Sequence, residues 1–104
     1  MRKPKVTVVI PLYNKEQYIE DAIKSVINQT YTDWQLLVVD DYSTDRSLER
    51  VKPYLSNSNI DCIALNRNYG QNHVYNYVLS LVDTEYLLQL DADDWLSQMP
   101  YNHY

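Results

Sequence analysis

Four short apolar runs punctuate the chain: VTVVI (Val6–Ile10), WQLLVV (Trp34–Val39), IDCIAL (Ile60–Leu65) and YLLQL (Tyr86–Leu90). Each is too short for a helix and rich in residues that favour strands. The stretches between them carry helical stripes. Ile19, Ala22, Ile23, Val26 and Ile27 mark the first. Leu48, Val51 and Leu55 mark the second, with Pro53 set to shorten or kink it. Val74, Tyr77, Val78 and Leu81 mark the third, opened by Gly70. Asn14 with Gln17, and Ser43-Thr44-Asp45, offer helix caps. Glu20 and Lys24 stand four apart, poised to pair on a wet face. Strands alternating with amphipathic helices dictate right-handed crossovers and a parallel sheet. The expectation is an α/β, Rossmann-like domain over residues 1–104; if its strands lie in the order 3-2-1-4, the winding reverses between the first and fourth strands. There is no internal repeat and no linker.

Composition narrows the functions such a scaffold can serve. The net charge is −5, from 14 acidic and 9 basic residues. No Lys or Arg follows Arg67, so the basic face that nucleic acid requires is missing. Cys62 is the single cysteine, which rules out an intrachain disulfide; in its apolar strand it reads as a buried, inert thiol. The opening MRKPKVTVVIPLYN holds too short an apolar run for a signal peptide or membrane span, so a cytoplasmic protein is expected. Glycine occurs once, at Gly70. Walker and dinucleotide loops need several glycines at a strand-to-helix turn, so a phosphorylated ligand must be handled otherwise.

The carboxylates supply that alternative. In an open parallel sheet, ligands bind beyond the carboxyl ends of the strands, where the winding reverses. Pro11-Leu12-Tyr13-Asn14 follows the first strand and Asp40-Asp41 the second. Asn66-Arg67-Asn68 follows the third and Asp91-Ala92-Asp93-Asp94 the fourth. Two like charges about 4 Å apart, at an effective dielectric of 20, cost on the order of 4 kcal/mol. Crowded acids must therefore be protonated, point apart, or share a cation. Carboxylates with room for water suit Mg²⁺ or Mn²⁺, which completes its shell with phosphate. Local roles compete with this reading: Asp40, Asp41 and Asp45 could equally cap helices or form Asx turns. Tyr13 alone reads as packing, although its place after a central strand would let it stack on a base. Asn68 and Asn76 read as satisfying backbone groups, and His73 as an exposed polar residue.

VTVVIPLYNKEQYIEDAIKSVINQTYTDWQLLVVDDYSTD, then NRNYG and Asn76, then EYLLQLDADDWL, together resemble the nucleotide-sugar-binding half of a family 2 glycosyltransferase, which has the GT-A fold. The resemblance runs from Val6 to Leu96. It implies that Pro11 and Tyr13 line the base pocket, with Tyr13 against the ring. Asp41 would accept a hydrogen bond from the base, and Asp91 would contact the ribose or sugar. Asp93 and Asp94 would hold Mn²⁺ or Mg²⁺ on the diphosphate. The implied activity is inverting, metal-dependent transfer from a nucleotide-diphosphate sugar, a UDP-sugar foremost.

The chain departs from the family pattern in three ways. Tyr42 replaces the usual glycine of Asp-Asp-Gly-Ser, straining the turn if it needs a positive φ. Tyr75 replaces a frequent arginine. Few residues follow Asp94, so the acceptor half is expected to be absent, with no catalytic base to assign and no turnover by these residues alone. The fourth strand should then offer an unpaired edge that invites homo-oligomers. A phosphoreceiver domain fits poorly, lacking its acidic pair after the first strand and its late lysine. A non-enzymatic nucleotide-binding or interaction module on the same scaffold remains the alternative.

Overall fold

The apolar runs form strands that lie within a residue or two of the bounds set by the sequence pattern. A computed structural model describes residues 5–29 and 32–93. The strands are β1 (Val6–Leu12), β2 (Trp34–Asp40), β3 (Ile60–Ala64) and β4 (Tyr86–Gln89), and the helices α1 (Ile19–Ile27), α2 (Ser47–Val51) and α3 (Gln71–Leu81). All strand pairs are parallel, in the order β3-β2-β1-β4. That is the expected order. α1 and α2 carry the chain from β1 outward to β3, and α3 carries it back past β2 and β1 to β4. Right-handed crossovers running in opposite directions must lie on opposite faces.

The side chains sort accordingly. Along β1 and β2, Val6, Val8, Ile10, Leu12, Leu36 and Val38 face a cluster with Ile19, Ala22, Ile23 and Val26 of α1 and Val51 of α2. Val9, Leu37 and Val39 face Val74 and Val78 of α3. The period of two along each strand assigns these faces, and both are covered, so β1 is buried along its whole length. No helix among the described residues is long and apolar enough to cross a membrane.

Several local expectations need correction. Pro53 does end α2: the chain tightens there into a 3₁₀ helix over Lys52–Ser56, and Leu55 stays exposed. In α3, Tyr77 and Leu81 are exposed, while Tyr75, together with Val82 just past the helix end, joins Val74 and Val78 against the sheet. At about 100° per residue the buried stripe is turned roughly 60° from the expected one. Glu20 does not pair with Lys24. It accepts from Arg50 Nη1 at 3.3 Å and Tyr54 Oη at 3.0 Å, which ties α1 to α2 and the 3₁₀ turn. Asn14 caps no helix, because α1 begins five residues later, after Tyr18. Cys62 is half-buried rather than fully buried. Burial, with the charges of Asp40 and Asp61, raises its pKa to about 11, which keeps it an inert thiol.

Candidate functional site

The crevice between β1 and β4 follows from where their pairing stops. Leu90 N–H donates to Val9 O at 2.9 Å, one residue beyond the Val9–Gln89 register. The next backbone donor of β1 on that side would belong to residue 11, which is Pro11 and has none. Proline is tolerated in this central strand because β4 has already left it. β1 continues against β2 alone to Leu12, and a gap opens beside it.

Three loops are then fastened to one another across this rim. Asn14, at φ +51°, accepts at Oδ1 from the N–H groups of Thr44 (2.7 Å) and Asp45 (3.3 Å), and its own N–H donates to Ser43 Oγ (3.0 Å). Lys15 N–H donates to Ser47 Oγ at 2.9 Å and Glu16 N–H to Asp45 Oδ2 at 3.2 Å. Asp45 Oδ1 also accepts from the Ser47 N–H and hydroxyl. Burial works against the Asp45 charge, but these hydrogen bonds outweigh it and hold the carboxyl below its ordinary pKa. Asp40 keeps a local role, accepting from Ser43 N–H at 3.4 Å. Both residues thus follow the turn-and-cap reading.

Asp41 does more. It is 4% exposed, its Oδ1 accepting from Tyr69 N–H and its Oδ2 from Gly70 N–H, each at 2.8 Å. Asn68 Nδ2 adds a bond to its carbonyl at 3.3 Å. Asp41 thereby anchors the turn into α3, where Gly70 takes φ +91° and ψ +159°. Tyr42, beside it, does adopt a positive φ (+67°). His73 is exposed and stacks on Tyr69, ring centroids 4.4 Å apart.

These loops enclose a cleft of about 380 Å³. Pro11, Tyr13, Asp41, Asp91 and Asp93 all line it, so Asp41 and Asp93 do face a common space. Tyr13 is 45% exposed, its ring available to a ligand. Asp94 lies outside the described residues. Lys15, Gln71 and Gly70 also line the cleft, although the sequence reading did not place them there. Gln71 Nε2 makes a long hydrogen bond to Asp91 Oδ1 at 3.5 Å, and Lys15 Nζ lies 3.5 Å from Asp93 Oδ2. The one available signal was position: Lys15 follows the first strand, and the chain's single glycine precedes the third helix.

Among the described residues, no three His, Cys, Asp or Glu side chains form a ready-made metal cage. Asp91 and Asp93 nevertheless present exposed carboxylates at the cleft. Such oxygens fit a hard divalent cation that takes one or two protein carboxylates and leaves its other positions to water and phosphate.

Comparison with known proteins agrees with this architecture. The family model described as glycosyl transferase family 2 matches residues 7–100. The teichoic acid poly(glycerol phosphate) polymerase of Staphylococcus epidermidis is 38% identical over 104 residues, covering 96% of this chain and 14% of that protein. TarS 1–349 of S. aureus, crystallised in complex with UDP-GlcNAc, superposes with a TM-score of 0.86 at 31% identity, covering 94% of this chain and 29% of that one. The mannosyltransferase PcManGT of Pyrobaculum calidifontis, in complex with GDP-Man and Mn²⁺, gives 0.82 at 26% identity, covering 95% and 30%. The chain spans 14–39% of the length of eight curated relatives that it matches. With a family match running from β1 to beyond β4, on a fold whose strand order and switch-point cleft follow from its own residues, this chain belongs to glycosyl transferase family 2.

Proposed function

We propose that these residues bind the donor for an inverting, metal-dependent transfer of sugar from a nucleotide diphosphate to an acceptor. One observation carries the reading: Pro11, Tyr13, Asp41, Asp91 and Asp93, from three separate strand ends, converge on one cleft at the point where the winding reverses. Tyr13 supplies a π-face for the base, a contact worth about 1–3 kcal/mol in single-stranded nucleic-acid recognition. Pro11 adds an apolar wall to the cleft. Each Asp41 oxygen uses one lone pair on a backbone N–H and keeps another. The carboxylate can therefore accept an N–H from a base such as uracil while the loop hydrogen bonds hold it still. Asp91 takes the ribose or sugar hydroxyls.

Asp93, with Asp94, would hold Mn²⁺ or Mg²⁺. Such an ion supplies Lewis-acid stabilisation of the departing nucleoside diphosphate. The charge balance favours a cation here, because Asp41, Asp91 and Asp93 outnumber Lys15 and would repel a bare diphosphate. UDP is the first donor nucleotide to try, since TarS is crystallised with UDP-GlcNAc. No catalytic base is assigned within these residues.

Calorimetric titration of the purified protein with UDP, with and without Mn²⁺, tests the reading. Binding that requires Mn²⁺ and weakens at least ten-fold in Tyr13→Ala, about 1.4 kcal/mol, is expected. Silence toward both UDP and GDP with Mn²⁺ present would overturn it in favour of a non-enzymatic module.

A further inference from the structure

Lys15 is the single cation among the described residues that line the cleft, and its backbone is held firmly. Its N–H donates to Ser47 Oγ, and its neighbours Asn14 and Glu16 are tied to Ser43 and Asp45. The side chain leaves this fixed point and crosses the gap between the β1 and β4 ends. There Nζ lies 3.5 Å from Asp93 Oδ2, with the two side chains 42% and 48% exposed. A basic residue anchored on one wall of the cleft thus neutralises an acid on the other.

We infer that Lys15 is an internal counter-ion that competes with the divalent cation for Asp93 and moves to the donor's diphosphate when the cation takes its place. This rests on the proposed reading of Asp93 as a metal carboxylate. Without a cation, the Lys15 ammonium offsets part of the repulsion among Asp41, Asp91 and Asp93. An ammonium and a divalent cation repel each other, so each weakens the other's hold on the one carboxylate. Lysine suits such an exchange: it is a compact charge with three donors on a flexible four-carbon stem. The clamped backbone keeps that stem within reach of the cleft. A diphosphate that draws Lys15 away removes the cation's competitor, and a cation that displaces Lys15 frees it for phosphate. Each ligand then favours the other, and by linkage the effect is reciprocal.

An ion pair this exposed is weak, which bounds the effect on cation affinity to about two- to five-fold. The test measures Mn²⁺ binding by the electron paramagnetic resonance of free Mn²⁺, at low salt, for the wild-type protein, Lys15→Met and Lys15→Arg, with and without UDP. Without UDP, Lys15→Met should bind Mn²⁺ about two- to five-fold more tightly than wild type, and the difference should shrink at high salt. With UDP present, that advantage should vanish, and UDP itself should bind Lys15→Met more weakly at saturating Mn²⁺. Lys15→Arg, which keeps the charge, should remain near wild type. Equal or weaker Mn²⁺ binding by Lys15→Met would overturn the inference, even if UDP binding still required Mn²⁺ and the donor-site reading stood. Failure of both proteins to bind Mn²⁺ would remove the inference together with the metal assignment. Lys15→Gln offers a second neutral replacement should the methionine variant misfold.

Discussion

Replacing Gly70 by alanine probes the joint between fold and site. Gly70 sits at φ +91° and ψ +159°, a region that residues with a Cβ essentially never occupy. A Cβ built there meets nothing within 4 Å, so crowding contributes nothing and the penalty is one of backbone conformation alone. Holding alanine in that region costs about 1–3 kcal/mol. The stiffer unfolded chain returns about 0.5 kcal/mol, leaving a net loss near 1.5 kcal/mol. The backbone could instead relax to a negative φ. That would take the Gly70 N–H away from Asp41 Oδ2, and a hydrogen bond to a charged group is worth about 1.5–3 kcal/mol, so relaxation is no cheaper. For a domain of this size the melting temperature should fall by roughly 6–12 °C. Circular dichroism during heating measures the shift. Combining Gly70→Ala with Asp41→Asn distinguishes the two routes, because a relaxed backbone has already lost the Asp41 bond and the double variant would be less than additive. A Gly70→Ala protein melting within about 1 °C of wild type would refute the claim that this conformation is required.

Three further outcomes are expected. Tyr42→Gly should stabilise the protein by about 0.5–1 kcal/mol, because Tyr42 holds φ +67° and is 54% exposed; a lower urea midpoint would contradict this. The depressed pKa of Asp45 contributes stability that is fully present above the ordinary aspartate value of about 3.9 and is lost as pH falls through the folded value. Acid titrations of wild type and Asp45→Asn should therefore converge at low pH and separate above about pH 4; a pH-independent gap would exclude the mechanism. Cys62, with its pKa raised to about 11, should react with a thiol reagent at pH 8 on the order of a hundred-fold more slowly than free cysteine. Stability should decline as pH rises from about 8.5 toward 11, because the unfolded thiol ionises first; rapid labelling of the folded protein would contradict the assignment.

The order of elements and the parallel sheet are legible in the residues alone, since they follow from apolar period and the right-handed crossover rule; the 3-2-1-4 winding came from the family resemblance, because those rules allow other strand orders. The residues also show that Pro53 would shorten or kink a helix and that acids would gather on one rim, and the resemblance places Tyr42 at a turn position usually held by glycine. These are consequences of backbone geometry, which each residue imposes on its own neighbourhood. The partner each polar side chain takes was decided by the tertiary structure. Asn14 reads locally as a cap, yet it bonds to Thr44 and Asp45, 30 and 31 residues away. Glu20 bypasses Lys24 on its own helix for Arg50 and Tyr54, and Asp41 reaches 28 and 29 residues to Tyr69 and Gly70. Lys15 found Asp93 only because β4 inserts beside β1 after the chain has wound out to β3 and back. A strand's period is legible in a few residues; a hydrogen bond or ion pair depends on which distant loops the completed sheet brings within about 3 Å.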